Sequence, residues 1–302
     1  MESLSKRMST RLSAASITAA LVLLCGAPSQ AAIGQTFTVK DLGTLPHGGD
    51  SSARAINDHG QIVGESATNT FSPIHAFLLD NGVMTDLGAL PGSNPFSEAS
   101  GINNHGQIIG DSGDVVRFEF AVLFSNGAIV ELPTLPGAGD NSSSAFAIND
   151  HGQIVGVSGG HAFLFDNGVI TDLGTLPGDA SSKAAAINDH GQIVGTSSTA
   201  SGQTHAFLYE NGVMTDLGTL PGDASSQAAA INDHGQIVGT SFAANFHQHA
   251  FLFDNGVMIG LPTLPGGTFS EALGINNRGE IVGRSDATNA FGSHATLWTP
   301  SH

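Results

Sequence analysis

Cysteine is all but missing from this 302-residue chain: Cys25 is the only one. It stands inside what reads as a leader, so the remainder has no disulfide, thiol nucleophile or thiolate metal ligand. Bases are also scarce, with 9 Lys and Arg against 26 Asp and Glu and a formal net charge of −17. A chain without a basic patch lacks the electrostatic footprint of a nucleic-acid binder, and an anionic membrane surface repels it. Trp and Tyr occur once each, as Trp298 and Tyr209. The aromatic platforms that sugar sites favour are therefore few. No stretch after the leader shows a helical period. There is no G-x-S-x-G elbow, no H-E-x-x-H and no phosphate loop. These absences leave an all-β chain with no catalytic signature.

At the N-terminus, Lys6, Arg7 and Arg11 precede an apolar run from Ala14 to about Gly26, followed by Ser29-Gln30-Ala31. Basic region, apolar region and small residues at a cleavage position make a secretory signal over residues 1–32. The run is shorter than the roughly 20 residues of a membrane span. Leu24 stands before Cys25 where a lipobox takes a small residue. The expectation is an exported protein, periplasmic or extracellular, whose working domain is residues 33–302 with no membrane insertion once the signal is removed.

That domain repeats itself. Ile-Asn-Asp-His-Gly-Gln-Ile-Val-Gly or a close variant begins at Ile56, Ile102, Ile148, Ile187, Ile231 and Ile275, at spacings of 46, 46, 39, 44 and 44 residues. A period of this size signals stacked supersecondary units. Each unit predicts four short strands. In one of them, Ala184–Ile187 leads through Asn188-Asp189-His190-Gly191 to Gln192–Ser197; His205–Leu208 and Val213–Leu217 flank Asn211-Gly212. Asn-Gly is a strong two-residue hairpin signal, and the Gly-Thr-Leu-Pro-Gly that follows is a loop of breakers. Four strands per unit predict a propeller blade. The chain opens on a fourth-strand piece, Phe37–Leu42, and ends on a third-strand piece, His294–Trp298. The expectation is an all-β, six-bladed β-propeller of four-stranded blades, closed by the N-terminal strand completing the C-terminal blade.

The turn phrase occurs together with His-Ala-Phe at His75-Ala76-Phe77, His161-Ala162-Phe163, His205-Ala206-Phe207 and His249-Ala250-Phe251, and a weakened copy at His294-Ala295-Thr296. The second unit departs, with Phe120-Ala121-Val122. On these residues, across nearly all of 37–300, the chain resembles the HAF family of probable extracellular repeats. The resemblance implies an exported repeat protein and brings no catalytic assignment.

Both tight hairpins of every unit fall on one face, and the connections of varying length fall on the other, where binding is expected. Four residues before the shared Ile stand Ser52, Glu98, Ser144, Lys183, Gln227 and Glu271. The ligand-binding candidates are Glu98 and Glu271 to either side of Arg54, with Phe71, Phe246 and His247 on the variable connections. The partner expected is an extracellular protein or a polysaccharide. Catalytic residues are not assigned; the alternative is a carbohydrate-active enzyme using the two acids Glu98 and Glu271. A second alternative is calcium as a stabilising ion, with Asp58, Asp150, Asp189 and Asp233 in the turns as its candidates, although an Asx turn explains the same Asn-Asp pairs. The third-strand histidines stand one to a blade, too far apart for a zinc site; a bond to a neighbouring backbone group or hydroxyl is expected of each. Residues 173–197 and 217–241 are identical except for Lys183 against Gln227, which predicts little chemistry peculiar to either blade.

Overall fold

The computed structural model describes residues 41–68, 73–114, 119–125, 127–137, 142–244, 247–287 and 293–300. The leader and most of the Phe37–Leu42 piece fall outside them. Leu42–His302 form one compact unit.

Every repeat becomes one antiparallel sheet with its strands in sequence order. Five sheets have four strands and the sixth, built from Ser270–Ile275, Ile281–Ser285 and His294–Trp298, has three. The fourth sheet shows the design: Ser181–Ile187, Ile193–Ser198, Thr204–Glu210 and Val213–Asp216. Its outer hairpin closes on Asn211 and Gly212 with φ of 52° and 83°. Two successive left-handed residues make the type I′ turn that matches strand twist. At the other hairpin Gly191 donates to the carbonyl of Asn188, and Asn188 donates to that of Gln192.

The Gly of each Ile-Val-Gly has a steric cause. A Cβ on Gly195 would come within 2.0 Å of the Lys183 carbonyl oxygen and 2.9 Å of the Phe207 ring. The first strand bulges there, between Ala184 and Ala186, and the ring of His-Ala-Phe fills the space left by the missing side chain. The ring is fully buried.

The core lies between consecutive sheets. Val155 and Ala162 of the third sheet, with Leu173 and Leu176 of the linking segment, meet Ala184, Ile193 and Phe207 of the fourth. Equivalent clusters join the first sheet to the second, the second to the third, the fourth to the fifth and the fifth to the sixth. Hydrogen bonds repeat with them: Ala162 N–H donates to Ser182 Oγ and Leu176 N–H to Ser197 Oγ, and the same pairs recur at Ala206 with Ser226 and Leu220 with Ser241. A buried serine thus satisfies two backbone groups that would otherwise be stranded. Trp298 packs in the last cluster and its indole N–H donates to the Pro262 carbonyl.

The pattern stops between the sixth sheet and the first. Val282 is 52% exposed, whereas Val63, Val155, Val194 and Val238 at the same repeat position are at 0%. Ile56 is 65% exposed, while Ile102 and Ile231 are buried. Among the described residues no serine of the first sheet accepts from Ala295. Yet Leu42 and Leu45 pack on Phe77 and Leu79 of the first sheet, as Leu173 and Leu176 pack on the fourth.

Candidate functional site

Two cavities lie at opposite ends of the first strands. The first, about 490 Å³, is ringed by all six turns, from Ile56-Asn57-Asp58 to Ile275-Asn276-Asn277. Each Asn folds back on its own turn: Asn188 Oδ1 accepts from the N–H groups of His190 and Gln192. Its Nδ2 reaches the carbonyl of Asn232 in the next turn, and Asn57, Asn103, Asn149 and Asn232 do likewise. The following residue adds a second link. Asp150, Asp189 and Asp233 accept from the N–H groups of Asn104, Asp150 and Asp189 through Oδ1, and Asp58 accepts from Asn104 Nδ2. The calcium candidates are thus occupied in joining turns. Among the described residues no three His, Cys, Asp or Glu side chains gather into a metal-binding group.

The other end is divided by charge. In the first two sheets, Arg54 holds Glu65 with two bonds of 2.6 and 3.0 Å and Glu98 with one of 3.0 Å. The expected contact of Glu98 with Arg54 is therefore present. Glu271 is paired elsewhere, with Arg284 on the neighbouring strand. The symmetric trio is corrected on this point: a cross-strand arginine in the same sheet reaches Glu271. Phe71 and Phe246 lie outside the described residues. His247 is exposed and its carbonyl accepts from Ala243 N–H, closing the connection into the third strand.

Asp111, which the sequence reasoning missed, sits opposite Glu98. Burial, together with the charges of Glu119 and Glu98, pushes its carboxyl up to about 7, against the hydrogen bonds from Ala145 N–H and the Ser144 side chain. Burial and Glu65 also raise Glu98, with Arg54 opposing. The position after the shared second-strand Gly reads Glu65, Asp111, Val157, Thr196, Thr240 and Arg284. Its unevenness was the available signal.

A folded-state pKa above the unfolded value means that the native state binds the extra proton. Stability contributed by Asp111 is then present below about pH 4 and falls as pH rises toward 7. Asp111→Asn is expected to flatten that part of the Tm-versus-pH curve; parallel curves for variant and parent would refute it.

Three of the third-strand histidines bond carboxylates rather than the expected backbone or hydroxyl groups. His75 Nδ1 lies 3.0 Å from Asp86, His161 Nδ1 2.9 Å from Asp172, and His249 Nδ1 3.1 Å from Asp223. For His75 and His161 the register brings the acid alongside, with Phe77 paired to Asp86 and Phe163 to Asp172; Asp223 reaches His249 from the first strand of the same sheet.

The second cavity, also about 490 Å³, opens where the third to sixth sheets present their first two strands. Lys183, Gln227 and Glu271 line it, with Thr196, Ser198 and Thr240. Lys183 Nζ lies 4.0 Å from the centre of the Phe146 ring. The single difference between residues 173–197 and 217–241 therefore falls in a cavity.

No protein-family model and no curated protein matches the sequence. Among solved structures, the β-propeller domain of the Trilobed protease from Pyrococcus furiosus, described as having an open velcro topology, is similar at a TM-score of 0.53 and 11% identity, over 83% of this chain and 81% of that one. Prolyl endopeptidase structures are similar at a TM-score of 0.56 and 8% identity, over 84% of this chain and 43% of theirs. TolB from Acinetobacter baumannii has a TM-score of 0.47 at 14% identity, and this chain spans 63% of its length. No helix among the described residues is long and apolar enough to cross a membrane. Six successive antiparallel sheets, read with the first two likenesses, make the fold of this chain propeller-like.

Proposed function

We propose that this chain is an exported six-bladed propeller that binds or scaffolds an extracellular partner, without catalysis, at the end of the strands where the connections vary in length. The observation that carries the reading is the cavity lined by Lys183, Gln227 and Glu271. Near-identical repeats make interchangeable walls, but here three consecutive blades offer a cation, an amide and an anion at one repeat position. Variable groups on a rigid frame are how propellers gain specificity without changing their core.

Ring closure belongs to the same reading. Residues before Leu42 supply the strand that the sixth sheet lacks. Leu42 and Leu45 already take, against the first sheet, the places that Leu173 and Leu176 take against the fourth. Closure would cover Val282 and Ile56 and remove two sheet edges that invite aggregation.

The enzymatic alternative moves to other residues. Glu98 and Glu271 are each held by a different arginine, which suits ion pairs better than a free acid and nucleophile. Asp111, carrying a proton near neutrality opposite Glu98, is the group with the properties of a general acid.

Incubation with a panel of extracellular polysaccharides, following retention and chain cleavage together, separates the readings. Retention without cleavage is the expected result. Cleavage lost in Asp111→Asn would replace it with the enzymatic one, and absence of both would redirect the search to a protein partner.

A further inference from the structure

We propose, building on the binding role above, that the second cavity recognises the carboxylate of a hexuronate unit in an acidic polysaccharide, with Lys183 as its anion contact and Gln227 as its hydroxyl contact.

Four Lys and Arg side chains fall among the described residues: Arg54, Lys183, Arg278 and Arg284. Three of them hold carboxylates, Glu65 and Glu98 for Arg54, Glu280 for Arg278 and Glu271 for Arg284. Lys183 holds none among the described residues, although acids outnumber bases 26 to 9 in the chain. It rests instead over the Phe146 ring. A cation resting on an aromatic face keeps its N–H donors for another acceptor.

The surroundings favour a single carboxylate on a hydroxylated ligand. In the third to fifth sheets the two uneven positions are Ser144 and Val157, Lys183 and Thr196, Gln227 and Thr240. None is an acid, so the local field at Lys183 is not cancelled from these walls. The acids gather instead in the first two sheets, around Arg54. Gln227 offers a donor and an acceptor side by side, the pairing that neighbouring sugar hydroxyls need. Thr196, Ser198 and Thr240 add hydroxyls to the same wall. Glu271, already carrying Arg284, supplies an acceptor at the far side and repels a second anionic group. A heavily sulfated chain, with more than one anionic group per sugar, therefore fits less well than one carboxylate per sugar. Among the described residues no aromatic side chain lines this cavity, so discrimination rests on the charge.

The test uses the whole purified protein with trisaccharides of galacturonate, glucuronate and mannuronate, and with neutral galactose and glucose trisaccharides, by calorimetry and ligand-observed NMR. Lys183→Gln is the informative variant. It reproduces the residue that the otherwise identical segment 217–241 already carries at Gln227, so its fold is not in question. At least one uronate trisaccharide is expected to bind, and Lys183→Gln should weaken it at least tenfold while leaving melting unchanged. Gln227→Ala, which removes the hydroxyl contact, should weaken it several-fold; unchanged binding would overturn that assignment. Failure of all three uronates to bind, or equal binding by Lys183→Gln, overturns the proposal. Binding of neutral trisaccharides alone, or of no saccharide at all, would do so too while leaving the binding role intact, in the second case with a protein partner.

Discussion

Phe207→Ala is expected to lower the unfolding free energy by about 3–5 kcal/mol, the usual cost of emptying a buried aromatic site. The ring is fully buried and stands between two sheets, touching Val155 and Ala162 on one side and Leu173 and Leu176 along the link. It also lies over Gly195, where no side chain can grow inward to refill the space. The surrounding backbone is paired on both sides of that strand, so collapse around the cavity is limited. Because each sheet contacts only its neighbours, damage to one interface also weakens the coupling along the array. Urea unfolding should show it as a lower midpoint or as a second transition. A control at the exposed Val213 should change stability by no more than about 0.5 kcal/mol. If both substitutions cost the same, the inter-sheet core is not where the stability resides.

Asn188→Ala is expected to cost about 3–5 kcal/mol, since each stranded buried polar group costs roughly 1–3 kcal/mol. The side chain is buried and makes four bonds: to Gln192 Oε1, to the Asn232 carbonyl, and from the N–H groups of His190 and Gln192. Alanine satisfies none of them. Asn188→Asp keeps the acceptor and loses both donors, so it should recover only part of the loss. The sixth turn provides the internal comparison. Asn276 is exposed and its Nδ2 bonds Glu280 within its own repeat, so Asn276→Ala breaks no link to a following turn among the described residues and should cost less than half as much. Equal losses at Asn188 and Asn276, measured by calorimetry, would mean that the bonds between turns contribute nothing beyond the turn itself.

Much of the fold was legible because its signals are local. Asn211-Gly212 demands two left-handed residues, and the structure has them. The turn phrase calls for a left-handed glycine after an Asx residue, and Gly191 is at φ 74°. Alternation places Phe207 and Val194 inward while Val213 faces out. Histidine partners were less legible, because His75 and Asp86 meet only after the cross-strand register is set. The site was least legible. Glu271 and Arg54 stand at comparable places in their repeats, yet Arg284 on the adjacent strand captures the acid. Asp111 is marked out only by burial, which no short stretch of sequence shows.

By itself, the sequence determined the repeat length, the strand order, the turn types and the face each side chain takes, since all of these follow from backbone sterics and period-two alternation over a few residues. Only the tertiary structure decided which groups from different repeats share a space: Lys183 with Phe146, Gln227 with Glu271 around one cavity, and Val282 uncovered where its equivalents are buried. The rotation and spacing between successive sheets set those meetings, and they come from the summed packing of whole sheet faces, which no short stretch of chain encodes.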